Sequence, residues 1–170
     1  MRITKVQASN LELLRAFAEY TFRVAYQADN DPARFEQYCE QSFSPDYFAK
    51  ELQRPDAGFW FAWEGDQLIA YIKLNFNAHQ ELLGTDKTVQ VERLYVEPNF
   101  QGRRIGEKML DFAFEQARSV GAAWVWLSVW QERHPAIRFY QRCGYEILGT
   151  ETFWLADEAQ LDWVMRKKVE

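Results

Sequence analysis

The sequence contains a continuous strand, loop and helix signal in Val91-Glu92-Arg93-Leu94-Tyr95-Val96-Glu97-Pro98-Asn99-Phe100-Gln101-Gly102-Arg103-Arg104-Ile105-Gly106-Glu107-Lys108-Met109-Leu110. An apolar strand pattern ends at Pro98, and a short basic loop with two glycines then opens into a helical pattern. A helix N-terminus presents unpaired N–H groups and partial positive charge, to which Arg103 and Arg104 add full charges. We therefore predict that a phosphate-bearing ligand binds between Gln101 and Gly106.

The composition is that of one globular domain, which we assign to residues 1–170. This length is sufficient for one hydrophobic core and does not require two. Hydrophobic residues at 48% and charged residues at 26% exclude a disordered chain, and the 16% of aromatic residues can fill a core and line a pocket. A net charge of −5 argues against nucleic-acid binding and suits a cationic substrate better.

The cysteines and histidines predict neither a disulfide framework nor a metal site. Cys39 and Cys143 have no metal-clip spacing, and His79 and His134 lie far apart without ligand-like companions. Two thiols fit a reducing compartment, and no apolar run reaches the length of a signal-peptide core or a membrane span. We expect a soluble cytoplasmic protein that has no membrane, metal or nucleic-acid partner.

The first third of the chain is mainly helical. Residues 3–8 predict a short strand, and a helix follows from Ser9 or Asn10 to about Gln27. Prolines divide residues 29–55 into two short helices. These helices are predicted to cover one end of a sheet; the alternative is a substrate wall that carries Asp29, Asp31 and Asp46, and we favour the cover because charge clusters are usually solvated.

The remaining two thirds alternate strands and helices. Gly65-Asp66 joins two strand patterns into a hairpin, and a further strand leads to Pro98. The next helix ends at Gly121, and the apolar strand after it favours a right-handed parallel crossover. The predicted elements are strands at 58–64, 67–75, 88–96, 123–130, 145–154 and 161–166, with helices before 121 and from 135 to 143. The fold class is therefore mixed α/β.

A second signature occurs in Ala136-Ile137-Arg138-Phe139-Tyr140-Gln141-Arg142-Cys143-Gly144-Tyr145. Together with the loop from Gln101 to Gly106, it resembles the GNAT superfamily of acetyl-coenzyme A (acetyl-CoA) dependent N-acetyltransferases. Arg104 departs from the family pattern, because it stands where the first glycine of the loop usually lies. The resemblance implies a mostly antiparallel mixed sheet of about six to seven strands flanked by helices.

The resemblance also implies acetyl-CoA as co-substrate and supplies a set of binding residues. The backbone of Leu94 would stabilise the oxyanion, and Tyr95 and Val96 would pair along the pantetheine arm. The full set is Leu94, Tyr95, Val96, Gln101, Gly102, Arg103, Arg104, Ile105, Gly106, Glu107 and Arg133.

Amide formation requires a proton acceptor and a proton donor. A primary amine has an ordinary pKa near 10.4, so only about one molecule in a few thousand is neutral at pH 7. Glu92, through water where it cannot reach directly, is the candidate base; the alternative is a carboxylate paired with Arg93, and strand alternation does not decide between them. Tyr140 is the candidate donor to the leaving thiolate, against a packing role in the core. Cys143 ends a helix, where the dipole disfavours a thiolate nucleophile.

The sequence thus predicts transfer of acetyl from acetyl-CoA to a primary amine of a small molecule by direct attack in a ternary complex. Similarity to the PaiA-type polyamine acetyltransferases in residues 91–96, 130–133 and 152–167 makes a polyamine the first acceptor to consider. The alternatives are a protein or peptide N-acetyltransferase and a non-catalytic regulatory protein that binds acetyl-CoA. The sequence leaves open whether the chain forms a homodimer.

Overall fold

The computed structural model describes all 170 residues and contains one seven-stranded mixed sheet. The strands are β1 (Arg2–Lys5), β2 (Ala57–Glu64), β3 (Gln67–Phe76), β4 (Thr88–Val96), β5 (Trp124–Trp130), β6 (Glu146–Leu155) and β7 (Glu158–Lys168). Their order across the sheet is β1-β2-β3-β4-β5-β7-β6. The pair β4 and β5 is parallel and every other neighbouring pair is antiparallel, so the predicted fold class is confirmed.

Five α-helices flank this sheet. They are α1 (Leu11–Tyr26), α2 (Pro32–Ser42), α3 (Pro45–Leu52), α4 (Ile105–Ser119) and α5 (His134–Arg142). Side-chain caps fix the starts of two of them, because Asp31 accepts a hydrogen bond from Arg34 N and Ser44 accepts one from Tyr47 N. No helix is both long and apolar enough to cross a membrane.

Alternating side chains divide the core between the two faces of the sheet. Along β2, Trp60 and Ala62 belong to a cluster of 21 buried residues that includes the apolar side of α4. Phe59 and Phe61 point the other way, into a cluster of 12 buried residues shared with α1, α2 and α3. The helical cover predicted for residues 29–55 is therefore present, and Asp31 serves as a helix cap in it.

The parallel pair at the centre of the sheet is short. β4 pairs with β5 only from Thr88 to Gln90, opposite residues 124–126. Beyond that point β4 keeps its pairing with β3 as far as Val96 but has no partner on the side of β5. A register shift on the β3 side sets Lys73 opposite Arg93 and Leu74 opposite Val91, which leaves Glu92 as the extra residue of a bulge. The two central strands therefore diverge and open a gap in the sheet.

The last hairpin is longer than the sequence predicted. β7 begins at Glu158, three residues before the predicted start at Leu161, because a turn at residues 156–157 already reverses the chain. Ala156 has a φ of 54° in this turn, a conformation that side chains other than glycine seldom adopt. The longer hairpin places β7 between β5 and β6 and brings Asp162 opposite both Trp130 and Glu151.

The helical cover gives a stability prediction. Phe48 is fully buried and its ring lies 5.9 Å from that of Phe59, so Phe48→Ala leaves a cavity that should lower the free energy of unfolding by about 3–5 kcal/mol. Leu13→Ala on α1 is the control, since 44% of Leu13 is exposed and a surface change should stay within about 0.5 kcal/mol. Thermal unfolding followed by circular dichroism measures both, and equal losses would contradict this division of the core.

Candidate active site

A cavity of about 490 Å³ lies between the N-terminus of α4 and the helix α5. We call it the α4–α5 cavity. Its lining combines the end of β4, the glycine-bearing loop and one face of α5. The lining residues are Leu94, Val96, Phe100, Gln101, Gly102, Arg104, Ile105, Gly106, Glu107, Arg133, Pro135, Ala136, Phe139, Tyr140 and Arg142.

The N-terminus of α4 is built to bind an anion. Arg104 is the N-cap residue, with φ 59° and ψ 20°, and no side chain caps the first N–H groups of the helix. Gly102, two residues earlier, also has a positive φ of 77°. Glycine suits this position because it adopts the left-handed conformation without strain. An arginine here adds a guanidinium, but its backbone is strained. Arg133 and Arg142 add positive charge to the same cavity.

Gly106 has a packing role as well. A Cβ atom added at Gly106 would lie 2.9 Å from Cζ of Phe139, closer than carbon atoms normally approach. The absent side chain thus lets the first turn of α4 pack against α5. This contact couples the two sequence signatures in space, because Phe139 belongs to the second of them.

Tyr140 is half-buried in the α4–α5 cavity, and its ring lies 5.8 Å from that of Tyr145. Burial raises the pKa of Tyr140 well above its ordinary value, and the nearby Tyr26 phenol adds to the rise. The phenol is therefore protonated at neutral pH and is available as a hydrogen-bond or proton donor.

The structure places most of the sequence-predicted binding residues around this one cavity, and two lie elsewhere. Arg103 forms an ion pair with Glu64 at 2.7 Å, and the side chain of Tyr95 points to the opposite face of the sheet. Arg142 lines the cavity although the sequence analysis did not select it. Its position three residues after Phe139 places both on one helix face, and that spacing is the signal that could have found it.

A second cavity, of about 220 Å³, lies on the other face of the sheet, under α1 and α2. We call it the α1–α2 cavity. Its walls are aromatic, and its polar side chains come from β4, β5, β6 and β7. The lining residues are Phe22, Tyr26, Asn30, Tyr38, Phe43, Tyr71, Gln90, Glu92, Arg93, Tyr95, Ser128, Val129, Trp130, Glu151, Phe153, Leu155, Gln160 and Asp162.

Glu92 lies in the α1–α2 cavity as part of a buried ion-pair network. Its carboxylate lies 2.6 Å from Nζ of Lys73, a lysine that is only 1% exposed and also pairs with Glu51. Arg93 is 3.9 Å away, and Asn75 donates a further hydrogen bond. Burial alone would raise the pKa of Glu92, but Lys73 and then these neighbours lower it below its ordinary value. Of the two roles considered for Glu92, this geometry favours the ion-paired carboxylate, with Lys73 as the nearer partner.

Two other carboxylates in the same cavity have no cationic partner. Glu151 accepts hydrogen bonds from Ser128 Oγ and, at 3.1 Å, from Gln80 Nε2. Asp162 stands opposite Glu151 in the β6–β7 register, and its Oδ1 atom is buried without any hydrogen-bond donor. In the lining of the α1–α2 cavity the carboxylates of Glu92, Glu151 and Asp162 outnumber the one cation, Arg93, whereas the α4–α5 cavity carries an excess of arginine.

Comparison with known proteins identifies the fold and its chemistry. The sequence matches the acetyltransferase (GNAT) family over residues 14–145. The chain belongs to the GNAT family. An uncharacterized N-acetyltransferase of Lactobacillus delbrueckii subsp. lactis is 26% identical over 167 residues, which are 98% of this chain and 96% of that relative. An aminoalkylphosphonate N-acetyltransferase of Salmonella typhimurium is 33% identical over 101 residues, or 59% of this chain and 64% of that relative.

A solved structure of the same fold contains coenzyme A. The PaiA N-acetyltransferase of Thermoplasma acidophilum, in complex with coenzyme A, has a TM-score of 0.80 at 22% identity and covers 98% of both chains. The protein is thus an acetyl-CoA-dependent N-acetyltransferase of the GNAT type. No group of three or more potential metal ligands occurs in the structure.

The α4–α5 cavity has the chemistry that coenzyme A requires. Free N–H groups at the start of α4 and the nearby arginines suit a pyrophosphate, whereas Leu94 and Val96 offer an apolar strand edge beside it. Because β4 has no strand partner on the β5 side at these residues, its free backbone groups there suit an extended chain with amides, such as pantetheine. The residues present therefore fit acetyl-CoA.

Two substitutions of Arg104 distinguish the effect of its side chain on binding from the effect of its backbone conformation on stability. Arg104→Gly and Arg104→Ala both remove the guanidinium, so each should weaken coenzyme A binding about fivefold, which corresponds to ~1 kcal/mol for an exposed ion pair. Only glycine relieves the left-handed strain at φ 59°, so Arg104→Gly should be about 1 kcal/mol more stable than Arg104→Ala.

Titration calorimetry and chemical unfolding measure the two quantities separately. Equal stability of the glycine and alanine variants would contradict the strained backbone, and unchanged binding in both would exclude a phosphate contact of the guanidinium.

Proposed function

We propose that this acetyltransferase acts on a primary amine of a small cationic molecule, with a polyamine as the substrate class. The observation that carries the proposal is the pair of uncompensated carboxylates, Glu151 and Asp162, in the α1–α2 cavity. A buried carboxylate without a cationic partner is unfavourable, and an ammonium group would supply that partner. The aromatic walls would contact the methylene segments between the ammonium groups of a polyamine.

The α1–α2 cavity suits a slender small molecule better than a polypeptide. Its volume of about 220 Å³ is small, and side chains of α1, α2 and the β6–β7 hairpin surround it. A peptide substrate would need a groove open at both ends to continue past the reacting amine. The small volume of the cavity therefore favours a small-molecule acceptor.

The two substrates would meet at the gap between β4 and β5. Arg93 and Tyr95 of β4 face the α1–α2 cavity, and Leu94 and Val96 face the α4–α5 cavity. An acetyl group held beside Leu94 would thus be accessible from the acceptor side through the gap. This arrangement suits direct attack in a ternary complex and needs no acetylated enzyme intermediate.

In this reaction the amine nitrogen attacks the thioester carbonyl, a C–N bond forms and the C–S bond breaks. The N–H of Leu94 would stabilise the oxyanion, as expected for a fixed backbone donor. Tyr140 would donate a proton to the departing sulfur of coenzyme A, because its phenol is protonated at neutral pH and lines the cavity that holds the sulfur.

A thiol-release assay over a panel of amines tests the proposed substrate class. The panel contains a polyamine, a diamine, a neutral-chain monoamine, an aminoalkylphosphonate and a peptide with a free N-terminus. We expect the polyamine and diamine to exceed the monoamine at least tenfold in kcat/KM. Preference for the phosphonate would indicate that Arg93, whose Nη1 atom lacks a partner, selects an anionic tail. Binding of acetyl-CoA without turnover of any amine would contradict the proposal in favour of a sensor.

Tyr140→Phe tests the proposed proton donor. The variant should lower kcat about 10²-fold and leave the affinity for acetyl-CoA nearly unchanged, because only the hydroxyl is lost. Tyr145→Phe is the matched control, since its buried hydroxyl has no hydrogen-bond partner and it lies outside the α4–α5 cavity. Unchanged turnover in Tyr140→Phe would remove this residue from the mechanism.

A further inference from the structure

We propose that Asp162 is the catalytic base that takes the proton from the acceptor's ammonium group, and that Glu151 is a positioning residue that tunes it. The proposal rests on the proposed function, since it assumes an amine in the α1–α2 cavity. It assigns the proton transfer to a residue on β7 that belongs to neither of the two signatures.

The first argument is the unsatisfied state of Asp162. The residue is only 8% exposed, its Oδ1 atom is buried without any hydrogen-bond donor, and it lines the α1–α2 cavity. Leaving a buried acceptor without a donor costs free energy comparable to a lost hydrogen bond, and more when the group is charged. An ammonium entering the cavity would supply the missing donor and the missing charge.

The second argument is the contrast with the other acidic groups of the cavity. Glu92 already has Lys73 and Asn75 as partners, and the lysine keeps it ionised. Glu151 already accepts two hydrogen bonds from neutral donors. Among these carboxylates only Asp162 has a buried oxygen that lacks a donor, so it is the group best placed to accept a proton from an amine in the cavity.

The electrostatic surroundings of Asp162 suit this role. Burial raises the pKa of Asp162, and the charge of Glu151 raises it further, to about 7. A base is most effective when its pKa lies near the working pH. The other titratable groups that line the same cavity are the phenols Tyr26, Tyr38, Tyr71 and Tyr95 and the charged groups Glu92 and Arg93, of which Glu92 is ion-paired with Lys73.

Asp162, Tyr140 and solvent account for every proton that the amine loses and the sulfur gains. An ammonium loses two protons as it becomes a secondary amide. The first passes to Asp162 and then to solvent, which frees the nitrogen lone pair for attack on the thioester. The second leaves as the amide forms and replaces the proton that Tyr140 gives to the sulfur, so both residues return to their starting states.

The test is the pH dependence of kcat/KM in Asp162→Asn, with the polyamine of the panel as acceptor. The wild-type profile should rise to a plateau with an apparent pKa near 7. Asp162→Asn should lose about 10²-fold at pH 7.5 and recover as pH rises toward the pKa of the free amine, about 10. Glu146→Gln, an exposed change on the neighbouring strand β6, should keep the wild-type profile.

Two further variants separate the competing roles. Glu151→Gln should move the rise in kcat/KM to lower pH, because it removes the charge that raises the pKa of Asp162. Glu92→Gln should retain a rise near pH 7. A profile that keeps its rise near pH 7 in Asp162→Asn overturns the proposal, and loss of that rise in Glu92→Gln would assign the base to Glu92.

Stability gives an independent readout and a folding control. The pKa of Asp162 is raised in the folded state, so the wild type loses stability as pH rises from about 4 to about 7. Asp162→Asn lacks that loss and should have the higher Tm at pH 8. If Asp162→Asn is unfolded or less stable than the wild type at pH 8, the conclusion that the Asp162 carboxylate is buried without a partner is wrong. If the wild type acetylates no amine, the proposed function fails; if only the pH profiles disagree, this assignment alone fails.

Discussion

The divergence of β4 from β5 is the constraint on which the site depends. The two strands pair over three residues and then separate, and the bulge at Glu92 redirects the rest of β4. Alternation along this part of β4 then places Leu94 and Val96 in the α4–α5 cavity and Arg93 and Tyr95 in the α1–α2 cavity. A single strand therefore forms part of both cavities, and the gap beside it is the place where their contents can react.

Charge is distributed between the two faces in a way that suits the two substrates. The start of α4 combines uncapped N–H groups with Arg104, and Arg133 and Arg142 lie nearby, so this face suits a polyanion. On the opposite face, Lys73 is ion-paired with Glu51 and Glu92, and the lining carboxylates Glu92, Glu151 and Asp162 outnumber the lining cation Arg93. The α1–α2 cavity is consequently negative in a protein whose net charge is already −5.

Local patterns predicted the helices and strands, the parallel crossover and a phosphate-binding loop from Gln101 to Gly106, and the resemblance to the GNAT superfamily supplied most of the other residues of the α4–α5 cavity. They succeeded because the loop from Gln101 to Gly106 and the helix around Tyr140 are each continuous in sequence. The α1–α2 cavity could not be predicted in this way, because it depends on strand pairing and register. Lys73 has the pattern of an ordinary polar strand residue, and only the pairing of β3 with β4 shows that it lies beside the bulge at Glu92. Asp162 lies opposite Glu151 because of the register that the turn at residues 156–157 sets, and beside Trp130 because β7 pairs with β5.

The central claim is that the two substrates occupy opposite faces of the sheet and react through the gap between β4 and β5. A crystal structure with a bisubstrate analogue, in which the sulfur of coenzyme A is joined to a polyamine through an acetyl linker, tests it most directly. The account predicts the pyrophosphate at the N-terminus of α4, the linker beside Leu94 and Tyr140, and an ammonium group in hydrogen-bond contact with Asp162. A polyamine chain that stays on the α4–α5 face, or leaves the α1–α2 cavity empty, would contradict it.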